Sequence, residues 1–352
     1  MRVLSARPTR ARRARSALTA ATLAALLVTT GCASGSGDPA APSAPAGSSS
    51  SGGFPTQVAH RYGSTEISQA PQRIVTLGFT DQDFVLAFGV APVAVTDWYG
   101  GYEFATWPWA QDELGAARPE VLNKGEFTGS QNFDYERIAA LDPDLIIGLN
   151  TGMTQQEYDT LSRIAPTVAS SADYPEYGMP WQASTRVVGQ ALGQPQRAEE
   201  LIADVAARFT KAAGEHPEFA GKQALVAEVF EPGSSFTRSA TDARTVFLTS
   251  LGFSYPADIG ALAGAQDGAK ISDEQMSLLD RDLLIWNIGD NPALRGQIEA
   301  KPLYPQLKAV TEGRVLFLDD PLVSGALTWG TVLSLPYALD HLVPQLADTL
   351  NN

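Results

Sequence analysis

Cysteine is almost absent. Cys32 is the only one in 352 residues, which excludes an intramolecular disulfide and any C-x-x-C metal or redox site. Histidine is nearly as scarce. His60, His216 and His341 lie far apart, so a histidine-rich zinc or manganese centre has little to build on. There is no G-x-S-x-G, H-E-x-x-H, P-loop or G-x-G-x-x-G stretch, so the common signatures of hydrolases, zinc proteases and nucleotide binders are missing. A triad assembled from distant residues remains open, without a positive signal. Basic charge is also short: 25 Lys and Arg face 39 Asp and Glu, a formal net charge of −14. Six of the arginines lie between Arg2 and Arg15; without them the charge is −20. Such a body is poorly suited to nucleic acid or to anionic lipid surfaces.

A long apolar run is lacking too. Leu18–Val28 is too short to span a bilayer. An arginine-rich start, a short apolar run and then Gly31-Cys32 form the layout of a secretory signal. Residues 1–31 are therefore expected to be a removable lipoprotein signal, with a lipid on Cys32. The usual aliphatic residue three places before the cysteine is here Thr29. Residues 32–55 are dominated by Ser, Gly, Ala and Pro and carry a single charge, Asp38. Such a segment cannot bury a core and reads as a flexible tether. The body is then expected at the extracytoplasmic face of the cell membrane.

From Arg73 onward the pattern is α/β. Short apolar runs such as Arg73–Leu77, Leu145–Gly148, Ala224–Phe230, Leu283–Asn287 and Val315–Leu318 read as buried strands. Trp181–Leu192 and Gln196–Gly214 form the longest helical stretch, broken by Gly193 and Pro195, and a final helix is expected over Thr331–Leu350. One segment recurs. Glu136–Ile147 (ERIAALDPDLII) and Glu274–Ile285 (EQMSLLDRDLLI) share Glu, Leu-Asp, Asp-Leu and Ile at the same positions. Each reads as helix, turn and strand. Their spacing of about one domain suggests two lobes of like build, although such units often look alike in α/β proteins. The predicted fold is two doubly wound α/β lobes joined by one long α-helix, with a ligand cleft between them. The first lobe would span 56–180, the connecting helical segment 181–216 and the second lobe 217–352.

Aromatic residues are the positive signal. Trp98, Tyr99, Tyr102, Phe104, Trp107 and Trp109 crowd one segment interrupted by Gly100, Gly101 and Pro108, with no helical or strand period. A loop holding so many rings needs a partner surface. Trp98, Tyr99, Trp107 and Trp109 are taken as ligand-binding candidates on this composition. A second cluster is Phe236-Thr237-Arg238 with Arg244; a third is Leu327-Thr328-Trp329-Gly330. All three lie where ligand crevices open in α/β folds.

From Ala59 to Leu350 the chain resembles the solute-binding lipoproteins of iron–siderophore ABC importers, the group whose lobes share one long helix. The likeness rests on PQRIVTLGFTDQDFVLAFGVAPVAV (Pro71–Val95), NFDYERIAALDPDLIIG (Asn132–Gly148), RIAPTV (Arg163–Val168), VVGQALGQ (Val187–Gln194) and FLTSLGF (Phe247–Phe253). The resemblance implies a binding protein rather than an enzyme, a monomer that captures a ferric siderophore and delivers it to an ABC permease. Iron would be held by the siderophore, with no cofactor or metal ligand of the protein's own. It further implies that Glu136 and Glu274 dock the two lobes onto the permease, and that Trp329, before Gly330 and the last helix, lines the cleft. Arg238 and Arg244 would pair with negative charge on the chelate. Cobalamin or haem remain alternative ligands, and an extracellular hydrolase or a cell-wall interaction module are alternatives of another class.

Overall fold

The computed structural model describes residues 53–123, 133–289 and 291–351. Cys32 and the signal and tether up to residue 52 lie outside the described residues. The last tether positions do not behave as linker. Phe54 packs against the core beside Gly193, where an added Cβ would sit 2.6 Å from its ring. A hairpin of β1 (Thr56–His60) and β2 (Gly63–Ile67), not anticipated from the sequence, opens the body. Its alternating burial sets Val58, His60, Thr65 and Ile67 inward.

The first sheet contains β3 (Ile74–Thr76), β4 (Ala94–Val95), β5 (Glu120–Val121), β6 (Leu145–Gly148) and β7 (Thr167–Ala169) in the order β5-β4-β3-β6-β7, all parallel. β6 is buried along its whole length, as a strand covered on both faces must be. Helix α1 (Asp81–Leu86) follows β3; α2 (Tyr135–Ala140) precedes β6, and α3 (Gln155–Leu161) follows it, held by a Thr154–Glu157 capping box.

Two helices then cross to the second sheet. In α4 (Trp181–Ala191) and α5 (Pro195–Glu215) the chain breaks at Leu192–Gln194, where Gly193 takes φ 66°. With 21 residues, α5 is about 32 Å long. It buries Ala198, Ile202, Val205 and Phe209 as one stripe.

The second sheet contains β8 (Ala224–Glu228), β9 (Ser234–Arg238), β10 (Gly268–Ser272), β11 (Leu283–Asn287) and β12 (Val315–Leu318) in the order β10-β9-β8-β11-β12. β8, β11 and β12 run parallel, but β9 is antiparallel to both of its neighbours. The second lobe is thus mixed, where the sequence suggested strict strand–helix alternation: the connection between β8 and β9 is too short for a crossover and forces a hairpin. Helix α6 (Ala243–Ser250) follows this hairpin. Two further helices close the chain, α7 (Pro321–Trp329) and α8 (Ser334–Asn351). Among the described residues no helix is long and apolar enough to cross a membrane.

The repeat has a mechanical explanation. Asp144 accepts from the amides of Gln72 (2.7 Å) and Arg73 (2.8 Å), just before β3, and Asp282 accepts from that of Gln223 (2.8 Å), just before β8. Leu145 then pairs with Ile74, and Leu283 with Ala224. Each second aspartate of the repeat therefore pins the start of one strand to its parallel neighbour. The helix of the second copy is a 3-10 helix, Asp273–Leu279, not an α-helix.

One apolar core runs behind both sheets. It joins Phe84, Val85 and Phe88 of the first lobe to Val188, Val205 and Phe209 of α4 and α5, to Val226 and Phe247 of the second lobe, and to Leu335, Leu339, Leu342 and Leu346 of α8. The terminal helix, expected within the second lobe, also reaches the first. Tyr337 of α8 meets the ring of Trp109 at 6.0 Å.

Candidate functional site

Both sheets reverse their winding direction between their central strands, β3 and β6 in the first and β8 and β11 in the second, the positions at whose carboxyl ends α/β folds place ligands. From the first sheet these ends present Phe79 and Trp98; from the second, Glu228 and Asn287 close β8 and β11.

The aromatic loop bridges the lobes. Trp107 stacks on Trp109 at 4.6 Å and meets Trp329 of α7 at 5.7 Å. Trp109 meets Trp329 at 5.8 Å, and Trp98 approaches it at 6.4 Å. Tyr99 stands edge-on to both Trp98 (4.9 Å) and Trp107 (5.2 Å). The structure thus gathers all five predicted aromatics. Trp107, however, is only 2% exposed, a packing residue between lobes rather than an open cleft wall. Its ring lies over Gly325 of α7, where an added Cβ would come within 2.3 Å. Trp329 is on a helix, not the loop expected. Gly330 ends that helix in the left-handed conformation (φ 57°, ψ 36°), and Asp320 caps its start through the amides of Leu322 and Val323.

Two arginines stand beside this cluster, and neither is free. Arg238, at the end of β9 rather than in a loop, donates through Nε to Glu228 at 2.7 Å and lies 3.8 Å from Asp267. Arg244, buried on α6, donates to both oxygens of Asp242 (3.0 and 2.9 Å) and holds its Nε 3.5 Å from Glu228. Asn287 donates to Glu228 at 3.3 Å and accepts from Ser324 at 2.6 Å. Tyr99 crosses to this network. Its hydroxyl is pushed up to about 12 by burial, a rise opposed by the Arg244 charge, so it stays a neutral donor.

Several residues escaped the sequence reading. Phe79 stacks on Trp98 at 5.2 Å and on Tyr177 at 5.8 Å, and Tyr177 is 51% exposed. Phe230, 67% exposed, joins Phe236 of the second predicted cluster against the Arg238 guanidinium, at 5.4 and 5.0 Å. Isolated rings and a lone glutamate give no pattern to find. Asp83 was also missed. It is fully buried, accepts from Trp109 Nε1 at 2.9 Å and from Thr331 Oγ1 at 2.6 Å, and is raised to about 7 by burial.

Glu136 and Glu274 are both exposed and carry no ion pair among the described residues. Neighbours hold their backbones firmly. Asp134 caps α2 through the Arg137 amide at 3.0 Å, and Lys301 binds Asp273 at 2.5 Å. The three histidines lie elsewhere: His60 contacts Thr65 and Tyr158, His216 pairs with Glu218, and His341 packs on Tyr337. Among the described residues no group of three or more His, Cys, Asp or Glu is placed to hold a metal ion. A hollow of about 470 Å³ lined by Arg73, Pro92, Arg118 and Glu120 opens at the opposite, amino ends of the first sheet.

Similar proteins agree with this architecture. The ferric-anguibactin-binding protein FatB of Vibrio anguillarum is 26% identical over 300 residues, 82% of this chain and 87% of FatB. A periplasmic solute binding protein from Mycobacterium smegmatis superposes with a TM-score of 0.75 and 38% identity, covering 84% of this chain and 98% of that one. PiaA of Streptococcus pneumoniae, solved in complex with ferrichrome, shares the fold with a TM-score of 0.72 at 24% identity, over 84% of this chain and 99% of PiaA. Residues 74–322 match the periplasmic binding protein family, and with two sheets joined by a helical connection this chain belongs to that family.

Proposed function

We propose that the protein is an extracytoplasmic solute-binding protein that captures a ferric siderophore between its lobes and delivers it to an ABC permease. The observation that carries this reading is the interlobe cluster of Trp98, Tyr99, Trp107, Trp109 and Trp329 beside Arg238 and Arg244, at the carboxyl ends of both sheets. The half-buried rings of Trp98, Tyr99 and Trp109 supply apolar contact for the organic shell of a chelate, with the buried Trp107 and Trp329 packed against them, and the siderophore itself supplies every bond to iron. FatB, by its name, binds a ferric chelate of this kind. The three histidines each have partners of their own, which disfavours haem held by an axial histidine. Glu136 and Glu274 are the permease contacts in this reading, one per lobe, each on the rigid helix-to-strand unit of the repeat. Cys32 carries the lipid that keeps the body at the membrane, and no step of the cycle needs covalent chemistry by the protein.

The lobes move little in this scheme. One continuous core, α5 and α8 tie them together, so closure is a small rocking rather than a wide hinge. The test is calorimetric titration of the purified protein with ferric hydroxamate, catecholate and citrate chelates, with cobalamin, haem and free iron as controls. Saturable sub-micromolar binding of a ferric chelate without response to free iron supports the proposal. Binding of cobalamin or haem alone overturns it.

A further inference from the structure

Glu228 ends β8 at the switch point of the second sheet and is buried. One carboxylate serves both arginines of the site, 2.7 Å from Arg238 Nε and 3.5 Å from Arg244 Nε. Asp242 takes the other edge of Arg244, and Asp267 stands 3.8 Å from Arg238. Two guanidinium charges thus face three carboxylates, and the network as a whole is negative by one. A guanidinium already held by carboxylates is a poor anion site. It must give up a partner to take a new one, and an incoming polyanion meets the buried Glu228 at short range in a poorly screened place, with the exposed Asp267 beside it.

What this surface offers outward is aromatic rather than cationic. Arg238 lies over the faces of the adjoining Phe230 and Phe236 rings, and Phe230 projects into solvent. From the first lobe come Trp98, Phe79 and the exposed Tyr177, stacked on one another. Tyr99 adds a neutral hydroxyl beside Arg244 and Glu228. Asn287 links Glu228 to Thr328 (3.4 Å), next to Trp329, so the carboxylate is wired into the aromatic cluster itself.

We infer that Glu228 is a charge-selecting residue of the cleft: by neutralising Arg238 and Arg244 it makes the site accept ferric chelates of neutral or positive overall charge and reject polyanionic ones. The inference rests on the ferric-chelate reading above and narrows it. Three hydroxamates bring one negative charge each and balance ferric iron. Three catecholates bring two each and leave a trianion, and ferric citrate is likewise anionic. The substrate class is therefore the ferric tris-hydroxamate kind, with an apolar periphery to meet the rings.

The experiment measures dissociation constants of the purified protein and of Glu228→Gln for four probes: a neutral ferric tris-hydroxamate, one with an added ammonium arm, a ferric tris-catecholate and ferric citrate. The parent protein is expected to hold both hydroxamate chelates at least about tenfold more tightly than either anionic probe. Glu228→Gln, which frees positive charge, is expected to shift the ratio toward the anionic probes by about tenfold. Added salt should strengthen the parent's binding of the trianion and leave the neutral chelate unchanged. Asp267→Asn, whose side chain is 80% exposed and safe for folding, should shift the ratio the same way by a smaller factor. Preference of the parent for an anionic probe, or an unchanged ratio in both variants, overturns the inference while leaving the carrier function standing. Failure of all four probes to bind overturns the carrier function and the inference with it.

Discussion

Thr331 Oγ1 donates to Asp83 Oδ2 across 2.6 Å, joining residues 248 positions apart in the chain. The same oxygen accepts from the Trp109 indole at 2.9 Å, and the other oxygen of Asp83 is buried without a partner. A single carboxyl thus ties α1, the aromatic loop and the turn between α7 and α8. It also explains why the loop is ordered against both lobes: one of its tryptophans is hydrogen-bonded from below while the rings pack above.

Asp83 should make stability depend on pH. Burial raises it from 3.8 to about 7, partly opposed by the bonds from Thr331 and Trp109, and Asp81 is raised to about 7 in the same way. A carboxyl raised on folding contributes stability that is complete below the unfolded value and is lost as pH climbs through the folded one. Asp83→Asn fixes the neutral form and can keep both accepted bonds. Urea unfolding of parent and variant should give similar stabilities below about pH 4, with the variant gaining progressively above it, on the order of 4 kcal/mol by pH 8. A pH-independent difference would show that Asp83 does not ionise across this window.

Gly325→Ala tests the seam between the lobes. The new methyl would meet the Trp107 ring within 2.3 Å, and that ring is boxed in by Tyr99, Tyr102, Trp109 and Trp329. Overpacking of this kind costs about 1–3 kcal/mol. The expected result is a lowered melting midpoint and a red-shifted tryptophan emission as the loop is lifted. An unshifted emission at full stability would mean that the loop relaxes freely.

Trp329→Ala removes the ring that three other tryptophans contact. Loss of so large a buried side chain costs about 3–5 kcal/mol of stability. Affinity for the bound chelate, measured well below the variant's melting point, is expected to fall by about tenfold or more. Affinity within twofold of the parent would place Trp329 outside the ligand's contacts.

Glu136→Ala combined with Glu274→Ala should abolish iron uptake in cells while leaving chelate affinity unchanged, since both residues are exposed and far in the chain from the cleft rings. Each pair with a permease arginine would be individually weak, so either single variant should lose only part of the uptake. Uptake that survives the double variant removes these residues from the docking interface.

Cys32→Ala should move the protein from the membrane fraction to the medium, followed by immunoblot of both fractions. The soluble form should still bind chelate, because the rings of the aromatic cluster, from Phe79 onward, belong to the body.

Local sequence was enough to determine the elements that bury themselves. β6 and β11 are continuous apolar runs, legible because a strand covered on both faces has no polar side to hide, and their edges match to the residue. The repeat was legible because the same hydrogen bond, donated by the amide just before a strand to an aspartate, is needed once in each lobe. The β1–β2 hairpin and β9 were not. Their residues are mostly polar, half exposed in the hairpin and largely buried in β9, and pairing partners rather than composition make them strands. Composition alone marked the aromatic loop and Trp329, but only the tertiary structure decided that Trp107 is buried over Gly325 while Tyr177 and Phe230 stand exposed. Charge shows the same division. Two arginines in a −20 body looked available for an anionic ligand. Whether an arginine is free depends on what lies within a few ångströms of it, and folding brought Glu228, ten residues from one and sixteen from the other, between them.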